Sequence, residues 1–466
     1  MQSSTATLEI ARGAPLDESA LDALFDELFP ICRSITGEGL RRSLAVFGRY
    51  MPLRIEGVPS GSQVFDWTVP PEWRIRAAQL TGPDGRVVAD LKESNLSVIN
   101  YSAPVDAWLT LAELRKYIHT VPPVPSAIPY VTSYYKRRWG FCLPYVRLQT
   151  LPEGMYHAWI DSEFVPGAVE FGQCVLAGET EAEIVLTSYL CHPSLANNEL
   201  SGPLALLALY DRLSRWPRRR FTYRFILNPE TIGSLCYLSR YGTHLRQKMA
   251  GGLVLTCLGG PSGKLSYQST RRGNSLLDRT MANIASEGGI PLEIRSFDPT
   301  DGSDERQYCS PGFNLPMGQI ARTVYGRYPE YHTSLDNKEF MDIATVARSA
   351  AYIEKILKCA EISWTYRNLA PYGEPQLGKR DLFPSFNSPA TRNQSSDALS
   401  DERRFLKRSM MILNYSDGEN SMIDIAGRCE CQVGELEPVL EKLEQVGLLA
   451  IQPLRNPYQG VTDDLH

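Results

Sequence analysis

A histidine and a carboxylate stand close together in Ser-Tyr-Leu-Cys-His-Pro-Ser-Leu-Ala-Asn-Asn-Glu-Leu-Ser-Gly, residues 188–202, directly after the apolar run 183–187. Imidazole nitrogens and carboxylate oxygens are zinc ligands, and catalytic zinc sites take three of them from the protein. With six histidines in the chain, the partner can be sought by elimination. His466 is the last residue, His119 and His244 fall in expected helices among charged residues, and His157 lies on an alternating strand. That leaves His192 and His332, the latter in Tyr-Pro-Glu-Tyr-His-Thr-Ser-Leu-Asp-Asn, 328–337, ahead of a long helix pattern. Both fall at the loop edge of an expected α/β sheet, where ligands gather, and both have carboxylates nearby. A lone loop histidine is ordinarily structural; two so placed point to a metal.

Other chemistries lack their residues. There is no Gly-x-Ser-x-Gly nucleophile elbow and no His-Glu-x-x-His. Gly259-Gly-Pro-Ser-Gly-Lys264 has the look of a phosphate loop, but Leu258 stands where its first glycine belongs and Leu265 follows the lysine.

The elements that must position these histidines can be read from periodicity. Residues 17–50 carry two apolar stripes, Leu21, Leu24, Phe25 and Leu28, then Leu40, Leu44 and Phe47, on either side of Pro30. From about 52 to 130 short alternating runs and turn signals such as Pro83-Asp84-Gly85 suggest a small β-rich module. Beyond 135, strands at 184–187, 223–227 and 253–255 alternate with helices at 204–213, 235–241 and 340–357, which argues for a mainly parallel sheet covered on both faces. The expected organisation is an α/β domain over 15–51 and 131–365, the inserted module at 52–130, a linker at 366–400, and a winged helix-turn-helix at 401–466.

Net charge is −5, and residues 401–450 hold six Lys/Arg against ten Asp/Glu, the wrong sign for phosphate contact. A nucleic-acid partner is therefore not expected, and docking is the favoured use of the winged helix. No apolar run approaches a membrane span. The N-terminus lacks a basic segment followed by an apolar core, and the ten cysteines are scattered, so a cytoplasmic protein with free thiols is expected. The oligomeric state is left open, a homo-oligomer included.

The motifs resemble those of a known family. Cys-His-Pro-Ser with Asn-Asn-Glu-Leu-Ser-Gly is similar to the first metal motifs of zinc aminopeptidases of the bacterial leucine-aminopeptidase type. Pro229-Glu-Thr-Ile-Gly-Ser234, Gly302-Ser-Asp-Glu305 and Tyr331-His-Thr333 resemble their later segments, in the same order. Leu28–Gly39, Phe65–Pro70, Ser133–Phe141 and Leu413–Gly418 resemble a narrower bacterial group, the aminopeptidase-like proteins with a β-rich insertion and a C-terminal winged helix, often found in polysaccharide or natural-product biosynthesis settings. The resemblance implies a zinc-exopeptidase-like mixed sheet flanked by helices. It also implies a hydrolase of amide-type bonds in a small amine-bearing metabolite, with Glu230 as general base and Asp304 and Glu305 orienting substrate or metal shell.

Three positions depart from that pattern. Asn198 stands where an aspartate would bridge two zincs, and Thr231 and Thr256 stand where further acidic ligands belong. One zinc on His192, His332 and Glu199, with Glu305 the alternative carboxylate, is the expected site. Plainer readings exist for each residue. Glu199 and Glu230 could be helix-start carboxylates, Asp304 and Glu305 a solvated loop, and the whole core an inactive scaffold. The Tyr134–Trp139 run could be an interdomain face, or could bind a substrate carboxylate or phosphate through Arg137 or Arg138.

Overall fold

The structure is a computed structural model and describes residues 15–382 and 397–452. His466, the stretch 383–396 of the expected linker and residues 453–466 of the expected winged helix lie outside the described residues. The chain forms two compact units, Met1–Arg272 with Arg295–Tyr352 and Gly273–Ile294 with Ile353–His466.

The first unit is built on a mixed sheet. Its strands run in the spatial order Arg54–Pro59, Ala168–Leu176, Thr222–Asn228, Glu183–Tyr189, Met249–Leu255, Met317–Ala321 and Leu265–Gln268. The middle four are parallel, with Leu186 registered beside Phe225 on one side and Leu253 on the other. Glu183–Tyr189 and Met317–Ala321 are buried at every position, and the first of them accordingly reads as an apolar run and not as alternation. Helices Ser201–Ser214 and Ile232–Lys248 return the chain between parallel strands. The first of these helices starts tight against the sheet. A β-carbon on Gly202 would lie 2.4 Å from both the Leu255 carbonyl oxygen and Ser188 Oγ, so glycine is required there.

The smaller sheet orders Val87–Asp90, Glu72–Thr81, Met155–Val165 and Val105–Thr110. Its pairing does not divide the chain at 52 and 130. Arg54–Pro59 is an edge of the large sheet, and the longest strand of the small one, Met155–Val165, comes from beyond residue 130. Long-range strand pairing decides this, and local periodicity does not carry it. His119, expected in a helix, lies on the short strand Ile118–His119.

In the second unit, helices Asp397–Tyr415, Met422–Arg428 and Glu437–Gln445 pack with a three-stranded sheet to make the winged helix. Val439, Leu440 and Leu443 form the buried stripe of the last of these helices. The central strand of that sheet, Thr365–Asn368, falls at the start of the stretch expected to be linker. Helix Leu276–Glu287 also belongs to this unit: Asn283 donates to the Cys431 carbonyl (3.1 Å) and accepts from Val433 N–H (2.8 Å). All ten cysteines are free thiols. Among the described residues no helix is long and apolar enough to cross a membrane.

Candidate active site

The loops that leave the carboxyl ends of the parallel strands converge, as expected for such a sheet. Tyr189 ends one strand and His192 follows three residues later; Asn228 ends the next and leads into Pro229 and Glu230. The His192 and His332 ring centroids are 5.5 Å apart, and each ring lies against Tyr130, at 5.0 and 5.2 Å. Glu230 Oε2 lies 3.7 Å from His192 Nε2. His192, Glu199, Glu230 and His332 are thus brought together from four separate loops and turns.

Glu199 is held in a wide π-helical turn, Ala196–Leu200, a local form that concentrates at functional sites. Its fully buried carboxylate accepts the Cys191 N–H (2.6 Å) and meets His192 Nδ1 at 2.7 Å, with Arg33 Nε at 3.6 Å. Expected as a metal ligand, it lies on the Nδ1 side of the imidazole, with Nε2 turned toward Glu230. Cys191, His192 and Glu199 offer ligand atoms within 4.8 Å of one another. Ligand atoms around one tetrahedral ion are about 3.3 Å apart, however, so the 2.7 Å contact is a hydrogen bond. Burial pushes the Cys191 thiol up to about 11, which keeps it protonated. Burial opposes the His192 charge, but the Glu199 carboxylate outweighs it and raises the imidazole well above its ordinary range. Burial and the His192 charge together push His332 down to about 3, so it is neutral.

Glu230 rides on strained backbone. Thr231 has φ +62° and ψ −76°, and the Ile232 N–H donates to the Glu230 carbonyl at 2.8 Å, which closes a γ-turn of the rare positive-φ kind. Asp304 holds that turn by accepting the Thr231 N–H at 2.7 Å, and Ser303 Oγ donates to Glu230 Oε1 at 2.5 Å. Glu305 in turn accepts the Ser303 N–H at 3.0 Å. Asp304 and Glu305 therefore act on Glu230 at one remove. Burial, reinforced for Asp304 by the Glu230 charge, pushes both up to about 7. Ser194, Cys257 and His332 also have positive φ, and such strain gathers at functional sites.

Several supporting residues escape sequence reasoning. Asp336 accepts the N–H groups of Asn197 (2.6 Å) and Asn198 (2.9 Å) and so caps the π-turn. Arg33 is wholly buried and donates to the His192 carbonyl at 3.0 Å. Asp336 lies only four residues past His332, which was a usable signal. Arg33 lies 159 residues from His192, and nothing local joins them.

The donors are of the kinds that hold a metal ion. Two imidazoles on one tetrahedral ion have ring centroids about 5 Å apart, close to the 5.5 Å seen here. Asn198 Oδ1 is buried without a hydrogen-bond partner, an acceptor oxygen held ready, while Asn198 Nδ2 donates to Tyr189 Oη at 2.9 Å. Thr256 Oγ1 lies 2.6 Å from Tyr189 Oη, and Asn198 and Thr231 bring no charge.

Comparison with known proteins agrees with this architecture. Residues 22–363 match a family described as a domain of unknown function (DUF4910), and residues 364–451 match a winged helix-turn-helix. A Clostridium acetobutylicum protein named "Putative polysaccharide biosynthesis protein with aminopeptidase-like domain" is 40% identical over 429 residues, 92% of this chain and 95% of that one. A solved Clostridium acetobutylicum structure titled a "putative peptidase" is 38% identical, with TM-score 0.83, covering 93% of this chain and 96% of that one. The fold is shared with a Peptidase M28 precursor from Shewanella amazonensis, 12% identical, TM-score 0.51, over 74% of this chain and 92% of that one. The chain belongs to the DUF4910 family, an aminopeptidase-like mixed α/β fold followed by a C-terminal winged helix.

Proposed function

We propose that the protein is a one-zinc hydrolase that cuts an amide-type bond in a small amine-bearing intermediate, in a biosynthetic setting like the one its Clostridium acetobutylicum relative is named for. The observation that carries this reading is the opposition of His192 Nε2 and Glu230 Oε2 at 3.7 Å beside the neutral His332. His192 Nε2 and His332 would hold the ion, with Asn198 Oδ1 the available oxygen. When bound, zinc supplies a Lewis acid that polarises a carbonyl and acidifies water. Glu199 orients His192 through Nδ1, the usual arrangement behind a ligating imidazole. Glu230, with Oε1 pinned by Ser303, uses Oε2 to take a proton from the attacking water and return it to the leaving amine. Asp304 keeps that carboxylate aimed by holding the Thr231 turn.

The test is metal content with amidase assay on full-length protein. His192→Ala and His332→Ala should lose bound zinc, while Glu230→Gln should keep zinc and lose hydrolysis. A zinc-free wild type, or unchanged hydrolysis in Glu230→Gln, would overturn the reading. The neutral residues at 198, 231 and 256 favour a second reading, an inactive binding scaffold. It predicts zinc retention with no amide turnover in the wild type.

A further inference from the structure

Beside the candidate site the first unit has a cavity of about 320 Å³, lined by Thr68 to Pro71, Tyr101, Ser133 to Arg137 and Phe164. Four of its lining residues are aromatic, with Tyr101 packed edge-on to both Tyr134 and Phe164. It communicates with the metal-facing residues through one contact. Tyr134 Oη, on the cavity wall, is 2.6 Å from Tyr130 Oη, and Tyr130 is the ring against which both His192 and His332 lie. Tyr135, also on the wall, has its hydroxyl raised to about 12, chiefly by burial and further by the Glu230 charge, which puts it within electrostatic reach of the same centre.

Two cations stand at this cavity, Lys136 and Arg137. Other arginines of the unit are matched by carboxylates, as Arg41 is by Glu72 and Arg76 by Asp161. Among the described residues neither Lys136 nor Arg137 is within 4.0 Å of one. Arg137 instead lies over the Phe164 ring at 4.0 Å. That contact holds the planar guanidinium at the cavity while leaving its donors unspent, and such a fork is suited to an anionic oxygen pair.

We propose that this cavity is a substrate subsite for an anionic group, carboxylate or phosphate, bound by Arg137 and Lys136, with the aromatic walls covering the adjoining apolar part. The proposal rests on the hydrolase reading above and narrows its substrate to amine-bearing acids. The bond to be cut lies toward His192 and Glu230, and the anion lies beyond the Tyr130–Tyr134 pair.

Calorimetric titration of full-length protein tests it with three probes: N-acetyl-phenylalanine, its uncharged methylamide, and inorganic phosphate. The wild type should bind the acid or phosphate at least about tenfold more tightly than the methylamide, and whichever anion wins identifies the source of the charge. Both residues are exposed, so Arg137→Gln with Lys136→Gln should fold normally. That variant should lose the tenfold preference and keep the wild-type zinc content. Glu230→Gln should bind the anion as the wild type does, so failure of the hydrolase reading would not mimic failure of this one. No anion preference in the wild type, or a preference unchanged in the double variant, would overturn the proposal.

Discussion

Replacing Glu199 with Gln separates the two roles that carboxylate could have. The substitution keeps volume and one acceptor oxygen but removes a charge that is fully buried, 3.6 Å from Arg33 Nε and 2.7 Å from His192 Nδ1. At an effective dielectric of about 20, a pair 3.6 Å apart is coupled by roughly 4–5 kcal/mol. Leaving the partner buried and unpaired costs about 3–5 kcal/mol in comparable cases. Glu199→Gln should therefore lose about 4 kcal/mol of unfolding free energy in urea titration of metal-free protein. Zinc affinity should also fall, by about 10–100-fold, the usual effect of losing a carboxylate behind a ligating histidine. Binding at saturating zinc should nevertheless stay stoichiometric, because Nε2 and His332 remain. If no zinc binds at any concentration, Glu199 is itself a ligand. A loss under about 1 kcal/mol with unchanged affinity would refute the electrostatic argument altogether.

Three further outcomes follow from the packing. Burial alone would raise Glu183, but hydrogen bonds from Arg224 and His244 overcome it and hold the carboxyl at about 2, below its usual 4.5. A depressed folded value means the contribution, about 3 kcal/mol, is fully present above pH 4.5 and is lost as pH falls from 4.5 through 2. Acid titration of Glu183→Gln should lack that component of the stability curve. Gly202→Ala should destabilise the first unit by about 1–3 kcal/mol in thermal unfolding, since its β-carbon would meet the Leu255 carbonyl and Ser188 Oγ. Asn283→Ala should cost about 1–3 kcal/mol in the second unit, because it strands the Val433 N–H and the Cys431 carbonyl, and hydrogen exchange at Val433 would report it.

Much of the architecture was legible because it is local. Continuous apolar runs marked the buried parallel strands, and elimination among six histidines led to His192 and His332. What the sequence could not carry depends on where distant atoms come to rest. Glu199 was visible as a carboxylate near a histidine, but its direction comes from a π-turn capped by Asp336, 137 positions further along the chain. Arg33 reaches the His192 carbonyl across 159 positions of chain, which only tertiary packing brings together. Arg54–Pro59 and Met155–Val165 joined sheets that periodicity assigned otherwise, since strand partners are chosen by register and burial across the whole unit. Residue type and spacing thus determined which groups could do chemistry. Tertiary packing decided which face one another, because side-chain direction is set by turns, caps and buried charges that no single stretch contains.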